Sequence, residues 1–379
     1  MTDPTIRLLH ELIAIDSVNP ALSPGGAGEE AIASRIAGEM RSFGMAVQVR
    51  DAAPGRPNVV GVLERGSRGR SLMLCGHTDT VGVAGMHYPF VPIERDGRIH
   101  GRGAQDMKGG LAAMLGAARA IAESGGPAAG RLIVAAVADE EHGSLGADAL
   151  VRDWRADAAV VAEPTDLALA VAHKGFTWVE VTARGRAAHG SRPDEGRDAI
   201  LRMGRFLARL EELERDLRKR PPHPSLGTGS LHASVIAGGR ELSTYPDLCT
   251  LTLERRTLMG EPPGVALEEV EAILDGLRSA DPELEAEARE VFTRPAYELA
   301  PDHPFLAAME SSLSVRGLSP ARAAMTFWTD AAILGEAGIP SVIFGPGGAG
   351  LHGLDEYVHK DEVLACRDVF VDLVRTWCA

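Results

Sequence analysis

The sequence predicts an α/β protein, a mostly parallel sheet flanked by helices and interrupted by an inserted α+β unit. Three observations carry this. Short unbroken apolar runs alternate with helical segments over residues 1–173, the pattern of buried, largely parallel strands. Over 174–291 the pattern changes to half-buried strands and amphipathic helices in the order β-α-β-β-α-β, that of a ferredoxin-like split unit. The α/β pattern returns over 292–379, so the first domain is expected to be discontinuous. A length of 379 residues fits two domains, since one core stops growing near roughly 250–300 residues.

The elements follow in order. Residues 5–15 and 29–43 have helical spacing, and 71–75 form an apolar run ending at Gly76. Leu111, Met114, Ala118 and Ile121 recur at helical spacing until Gly125-Gly126-Pro127 stops them. Residues 132–138 and 158–162 are further apolar runs. In the inserted unit, Thr177, Val179 and Val181 alternate with Trp178, Glu180 and Thr182, a period-two strand. Residues 198–217 predict a helix with Ile200, Met203, Leu207, Leu210 and Leu217 on one face. Strands at 231–236 and 248–253, a helix at 265–279 and an alternating strand at 284–289 complete it. Helices at 304–315 and 331–337, a buried strand at 341–344 and a helix at 361–378 follow.

Composition narrows the function. Apolar residues make up 45% and charged residues 24% of the chain, ample core material for a globular protein. A net charge of −14 disfavours nucleic acid and anionic membranes as partners. No apolar run approaches the ~20 residues of a membrane span. Residues 1–11 lack the basic-then-apolar order of a signal peptide. Cys75, Cys249, Cys366 and Cys378 are far apart and form no CxxC spacing, so neither a disulfide framework nor a zinc finger is expected. A cytoplasmic location is the expectation.

Four apolar runs share a property: each is followed promptly by a potential metal ligand. Residues 71–75 lead to His77 and Asp79, residues 132–138 to Asp139-Glu140-Glu141, residues 158–162 to Glu163-Pro164, and residues 341–344 through a glycine-rich stretch to His352. Sites in open α/β sheets form beyond the carboxyl ends of the strands, so these residues are expected to converge on one rim. A fifth segment, Gly101 to Gly110, sets Asp106 at the start of a helix. Imidazoles with carboxylates and no thiolate suit Zn, Co or Mn. Five ligands exceed the usual three of one catalytic zinc and fit two metals sharing a carboxylate, which together activate a water and hold the developing oxyanion. Asp79, two residues after His77, is expected to accept that imidazole's other N–H. Adjacent Glu140 and Glu141 point in different directions, so one can ligate while the other takes a proton from the water. Adjacency alone leaves their order open, and Asp139 remains an alternative ligand.

The strings Gly76-His77-Thr78-Asp79-Thr80-Val81, Gly101-Arg102-Gly103 with Asp106-Met107-Lys108-Gly109-Gly110, Asp139-Glu140-Glu141 with Gly143-Ser144, Glu163-Pro164-Thr165 and Thr329-Asp330-Ala331 resemble one family. It is the aminoacylase/acetylornithine deacetylase/succinyl-diaminopimelate desuccinylase superfamily of metallohydrolases, which includes glutamate carboxypeptidases and dipeptidases. The resemblance runs in order over nearly the whole chain. It implies a di-zinc aminopeptidase-like catalytic domain (1–173 and 292–379) with an inserted dimerisation or lid domain (174–291), and a homodimer. It implies Asp106 as bridging ligand, His77 and Glu163 on one metal, Glu141 and His352 on the other, Glu140 as general base and Asp79 as the carboxylate partner of His77. His189 matches a residue that reaches a neighbouring active site and polarises the substrate carbonyl. Arg256 matches an arginine that grips a substrate carboxylate, a task suited to a guanidinium fork. The chain departs from the family pattern at Ser243, where many members have Asn, and around Glu254-Arg255-Arg256-Thr257, so Arg255 is an alternative to Arg256. Arg256 could equally pair with a neighbouring Glu.

The implied activity is removal of the acyl group from an N-acyl amino acid. The Trp328-Thr329-Asp330 and Lys174-Gly175-Phe176 segments favour an acetylornithine-type deacylase, with Ser243, Arg256 and Thr329 as substrate contacts. A carboxypeptidase or dipeptidase is the second reading, and a binding protein that kept the fold without the chemistry is the third. The presence of every ligand and of Glu140 speaks against the last. A dinucleotide loop at Gly101-Arg102-Gly103 is rejected because Asp106 occupies the third glycine position. The serine-hydrolase elbow is rejected because His142 replaces its first glycine.

Overall fold

The computed structural model describes residues 3–66 and 68–379. Met1 and Thr2, at the head of the expected 1–173 segment, and Ser67 lie outside the described residues. The principal elements are, in chain order, α1 (Pro4–Ile13), α2 (Glu30–Ser42), β1 (Ala46–Ala53), β2 (Arg56–Arg65), β3 (Ser71–His77), α3 (Gly109–Glu123), β4 (Gly130–Val137), α4 (Leu145–Asp153), β5 (Ala158–Val161), β6 (Leu169–His173), β7 (Gly175–Arg184), α5 (Ala199–Leu217), β8 (Ser230–Gly238), β9 (Leu248–Thr257), α6 (Val265–Ala280), β10 (Glu285–Arg294), α7 (Pro304–Val315), α8 (Ala331–Glu336), β11 (Ser341–Ile343) and α9 (Lys360–Trp377).

Contacts divide the chain into two compact units, one of residues 1–172, 299–324 and 329–379, the other of residues 173–298 and 325–328. The second boundary lies later than the expected 291/292. β10 continues to Arg294 in register with β7, and Trp328 Nε1 donates to the Pro295 carbonyl, which ties residues 325–328 to the second unit.

The first unit is built on a sheet in the order β1-β2-β4-β3-β5-β11-β6. Its centre is parallel: β3 pairs with β4 and with β5, and β5 with β11. These are the four apolar runs of the sequence, now neighbours pointing one way, and every residue of β3, β5 and β11 is buried. The flanks are antiparallel, β1 with β2, β2 with β4, and β6 with β11. The sequence reading missed β1 and β2, because β1 is half exposed and mixes Gln48, Arg50 and Asp51 among its valines. α3 packs between α1 and α9, with Leu111, Met114, Ala118 and Ile121 at 1% exposure or less. Leu111, Met114 and Ile121 each contribute about 1.5–3 kcal/mol on burial.

The second unit has one antiparallel four-stranded sheet in the order β8-β9-β7-β10, the ferredoxin-like order the sequence predicts. Val179 and Val181 of β7 and Leu251 and Leu253 of β9 pack against Met203, Phe206 and Leu210 of α5 and Val270 and Leu274 of α6. Asp198 caps α5 by accepting the Leu201 N–H. Ile200, expected on the buried face, is exposed. The buried stripe runs through Ala199, Met203, Phe206 and Leu210, and Ile200 stands about 100° away from it. β8 lies at the sheet edge with Val235 and Ile236 exposed.

Candidate metal centre

The parallel centre of the sheet sets four ligand-bearing segments side by side. His77 ends β3, Glu163 lies two residues past β5, and the Asp139-Glu140-Glu141 turn follows β4. His77 Nε2 lies 3.0 Å from Asp106 Oδ1 and 3.6 Å from Glu163 Oε1. His352 Nε2 lies 3.1 Å from Glu141 Oε2 and 3.4 Å from Asp106 Oδ2. Two groups result, His77/Asp106/Glu163 and Asp106/Glu141/His352, in each of which one donor atom per residue lies within 4.8 Å of the others. Asp106 belongs to both, presenting one carboxylate oxygen to each imidazole.

The donor chemistry fits divalent metal. Glu141 Oε1 and Glu163 Oε1 are buried without a hydrogen-bond partner, an arrangement costly unless a cation compensates it. Burial, and then the charge of Glu163, hold Glu140 well above the usual carboxylate range. Burial does the same to Glu163, with His77 opposing and Asp106 adding to it. Glu141 is pushed up to about 7 by burial and the charge of Asp106. Burial works against a low pKa for Asp106, yet His352 and His77 draw it below the ordinary range. Hydrogen bonds to Asp106 and Glu141 push His352 up to about 10. Burial opposes a charged His77, but Glu163 and Asp106 outweigh it and raise its pKa well above the ordinary value. The site thus concentrates carboxylates around two imidazoles, the field a divalent cation neutralises.

Residues 73–376 match the model of peptidase family M20/M25/M40. The chain belongs to this family. It is a hydrolase of amide bonds. It is 33% identical to the acetylornithine deacetylase of Myxococcus xanthus, over 100% of this chain and 98% of that relative. It is 32% identical to the N-formyl-4-amino-5-aminomethyl-2-methylpyrimidine deformylase of Bacillus subtilis (strain 168), over 99% and 94%. Among solved structures, the M20 family metallo-carboxypeptidase of Sulfolobus solfataricus shares the fold, with a TM-score of 0.81, 16% identity and 99% of each chain covered. No helix among the described residues is long and apolar enough to cross a membrane.

Within this M20 fold, Asp79 faces His77 Nδ1 with both its backbone carbonyl and its carboxylate. The Asp79 backbone carbonyl lies 3.0 Å from His77 Nδ1, while its carboxylate is 3.6 Å away. The carboxylate also holds the Asp139-Glu140-Glu141 turn, accepting the N–H groups of Glu140 and Glu141 at 3.1 Å each and Asn19 Nδ2 at 2.7 Å. Asn19 also donates to Asp139 at 3.0 Å, and Arg56 donates to Asp139 and Glu29. Asp139, the alternative ligand, is spent in this network. Asn19, Arg56 and Glu29 escaped the sequence reading because each meets its partner only through the fold. Two glycines are also required. Gly103 has φ +80°, which favours glycine. A Cβ on Gly110 would lie 2.0 Å from the Ala162 carbonyl oxygen, beside Glu163.

Thr329 is fully buried, and its hydroxyl accepts the Ala331 N–H at the start of α8. In the second unit, Arg255 is buried and engaged by Glu269 and Glu261, which removes it as the alternative grip. Arg256 pairs with Glu254 at 2.6 Å over the Phe176 ring, with part of its side chain exposed. Exposed His189 holds Ser191 Oγ at 2.8 Å through Nδ1, which also accepts the Ser191 N–H at 3.2 Å. That leaves Nε2–H facing outward. Ser243 is exposed and its carbonyl accepts the Gly190 N–H at 2.7 Å.

Proposed function

We propose that this M20 hydrolase is a two-metal deacylase of N-acyl amino acids. The observation that carries the reading is Asp106 shared between two ligand groups, each completed by one imidazole and one glutamate. His77 and Glu163 would hold one ion, Glu141 and His352 the other, with Asp106 between them. The imidazole–carboxylate set suits Zn first, with Co or Mn able to serve. When bound, two such ions polarise the amide carbonyl and acidify a water between them.

The chain's own residues supply the proton handling. Glu140 belongs to neither ligand group, and desolvation with the charge of Glu163 raises its pKa well above the usual range, His77 opposing. It takes a proton from the attacking water and gives it to the leaving amine, the dual role of a positioned carboxylate. Asp79 holds the Glu140–Glu141 backbone, so that one glutamate faces the ligand group and its neighbour stays free. His189, with Nδ1 tied to Ser191, keeps an Nε2–H to donate to a carbonyl oxygen and would serve a partner copy, as the family resemblance implies. Arg256 would grip the substrate carboxylate by exchanging its bond to Glu254.

The acyl specificity follows from two full-length relatives that remove small acyl groups from amines, acetyl in one and formyl in the other. A carboxypeptidase is the second reading, favoured by the fold shared with the Sulfolobus metallo-carboxypeptidase. A panel of N-acetyl and N-formyl amino acids and dipeptides, assayed after metal loading, tests the two. Turnover of N-acyl amino acids at least tenfold above dipeptides supports deacylation, and the reverse order supports the peptidase.

A further inference from the structure

Glu356 was singled out by no motif, yet its carboxylate is buried at the base of the site. Oε1 accepts the backbone N–H of Gln105 at 2.9 Å and of Asp106 at 3.1 Å. Oε2 accepts the Gly103 N–H at 3.0 Å and Arg102 Nη1 at 2.6 Å. Arg102 Nη2 then donates to the Gly353 carbonyl at 2.9 Å, one residue past His352. The Gly101 N–H returns to the Glu356 carbonyl at 3.1 Å. One ion pair, with both side chains almost wholly buried, therefore fastens the loop that carries Asp106 to the loop that carries His352. These segments are 250 residues apart in sequence; beside them Tyr357–His359 pairs antiparallel with Arg98–His100, and the ion pair extends that contact along the loop to Asp106.

We infer that Glu356, with Arg102, is a positioning residue that sets the separation of Asp106 and His352, and so governs the ligand group Asp106/Glu141/His352 more than the group His77/Asp106/Glu163. The reasoning rests on the two-metal reading. His77 ends a strand buried on both sides and Glu163 follows another, so their spacing is fixed by the sheet. His352 sits in a loop at φ +57° with an exposed side chain, and beyond the strand pairing of 357–359 with 98–100 it is the contacts just described that reach from that loop to Asp106. A carboxylate accepting four donors has no neutral equivalent. An amide of the same shape presents N–H groups to donors on one side, leaving buried N–H groups without acceptors.

The test titrates metal-free protein with Zn or Co by calorimetry, comparing wild type, Glu356→Gln, His352→Ala and His77→Ala. Glu356→Gln should resemble His352→Ala: one equivalent weakened at least tenfold, a typical loss for a residue that orients a ligand, and the other changed less than threefold. Arg102→Lys keeps the charge but not the fork to Gly353, and should weaken the same equivalent by a smaller factor. It carries the test if Glu356→Gln does not fold. Equal weakening of both equivalents, or no weakening, overturns the inference. A wild-type chain that takes up fewer than two equivalents overturns the two-metal reading instead.

Discussion

Two adjacent glutamates with different partners set the chemistry at the residue scale. Glu141 faces His352, whereas Glu140 belongs to neither ligand group and is held above the usual carboxylate range by burial and the charge of Glu163. Glu140→Gln should therefore keep both metal equivalents and lower kcat by about 10²–10⁴. Parallel metal titration and steady-state kinetics check it, and near-normal kcat would remove Glu140 as the base. Asp79 makes a different prediction. Its carboxylate holds two backbone N–H groups of the catalytic turn, so Asp79→Ala should depress kcat and stability together, the latter by about 1–3 kcal/mol for the buried donors left unpaired. Loss of activity with an unchanged melting curve would contradict this. A third prediction concerns His173, which burial lowers to about 4. The unfolded chain protonates this ring near pH 6.5, so below that pH the unfolded state binds more protons. The ring's contribution to stability is full above pH 6.5 and is lost as pH falls toward 4, reaching roughly 3 kcal/mol. The ring should show no NMR titration above pH 5, and a midpoint near 6.5 would contradict its burial.

Strands explain why so much of the site was legible in the sequence. A buried parallel strand is an unbroken apolar run, and a ligand just past its end stands on the sheet's functional rim. His77, the Asp139-Glu140-Glu141 turn and Glu163 could be read as candidates on that rule alone, and β3, β4, β5 and β11 are neighbours as it requires. The order of Glu140 and Glu141 was not legible, because adjacency fixes only that they diverge. Asn19, Arg56 and Glu356 were not legible either: their partners lie 60 to 254 residues away and leave no local spacing. β1 was missed because an exposed antiparallel edge carries no strong period, and β2 because Pro57 and Gly61 interrupt its apolar run. At this scale Gly110 offers a test. Gly→Ala in an open helix gains about 1 kcal/mol, but here the added carbon meets the Ala162 carbonyl. Gly110→Ala should therefore lose about 1–3 kcal/mol through overpacking, read in chemical denaturation. A stabilised variant would contradict the packing.

For the whole molecule, the division of labour is between a sheet that assembles metal ligands and a second unit that carries His189, Arg256 and an exposed edge. β8 presents Val235 and Ile236 to solvent at that edge, and unpaired edges are a natural place for two-fold association. A homodimer in sedimentation, converted to monomer by Val235→Lys with Ile236→Lys, is the expected outcome. If His189 serves a partner copy, inactive Glu140 and His189 variants should regain activity on mixing, and no recovery would place its action within one chain. The central claim is that amide hydrolysis depends on two ions held around Asp106. It is tested most directly by adding Zn or Co stepwise to metal-free protein while following release of amine from an N-acetyl amino acid. The account predicts negligible turnover without metal and a rise that saturates at two equivalents. Full turnover in metal-free protein, or saturation at one equivalent, would contradict it.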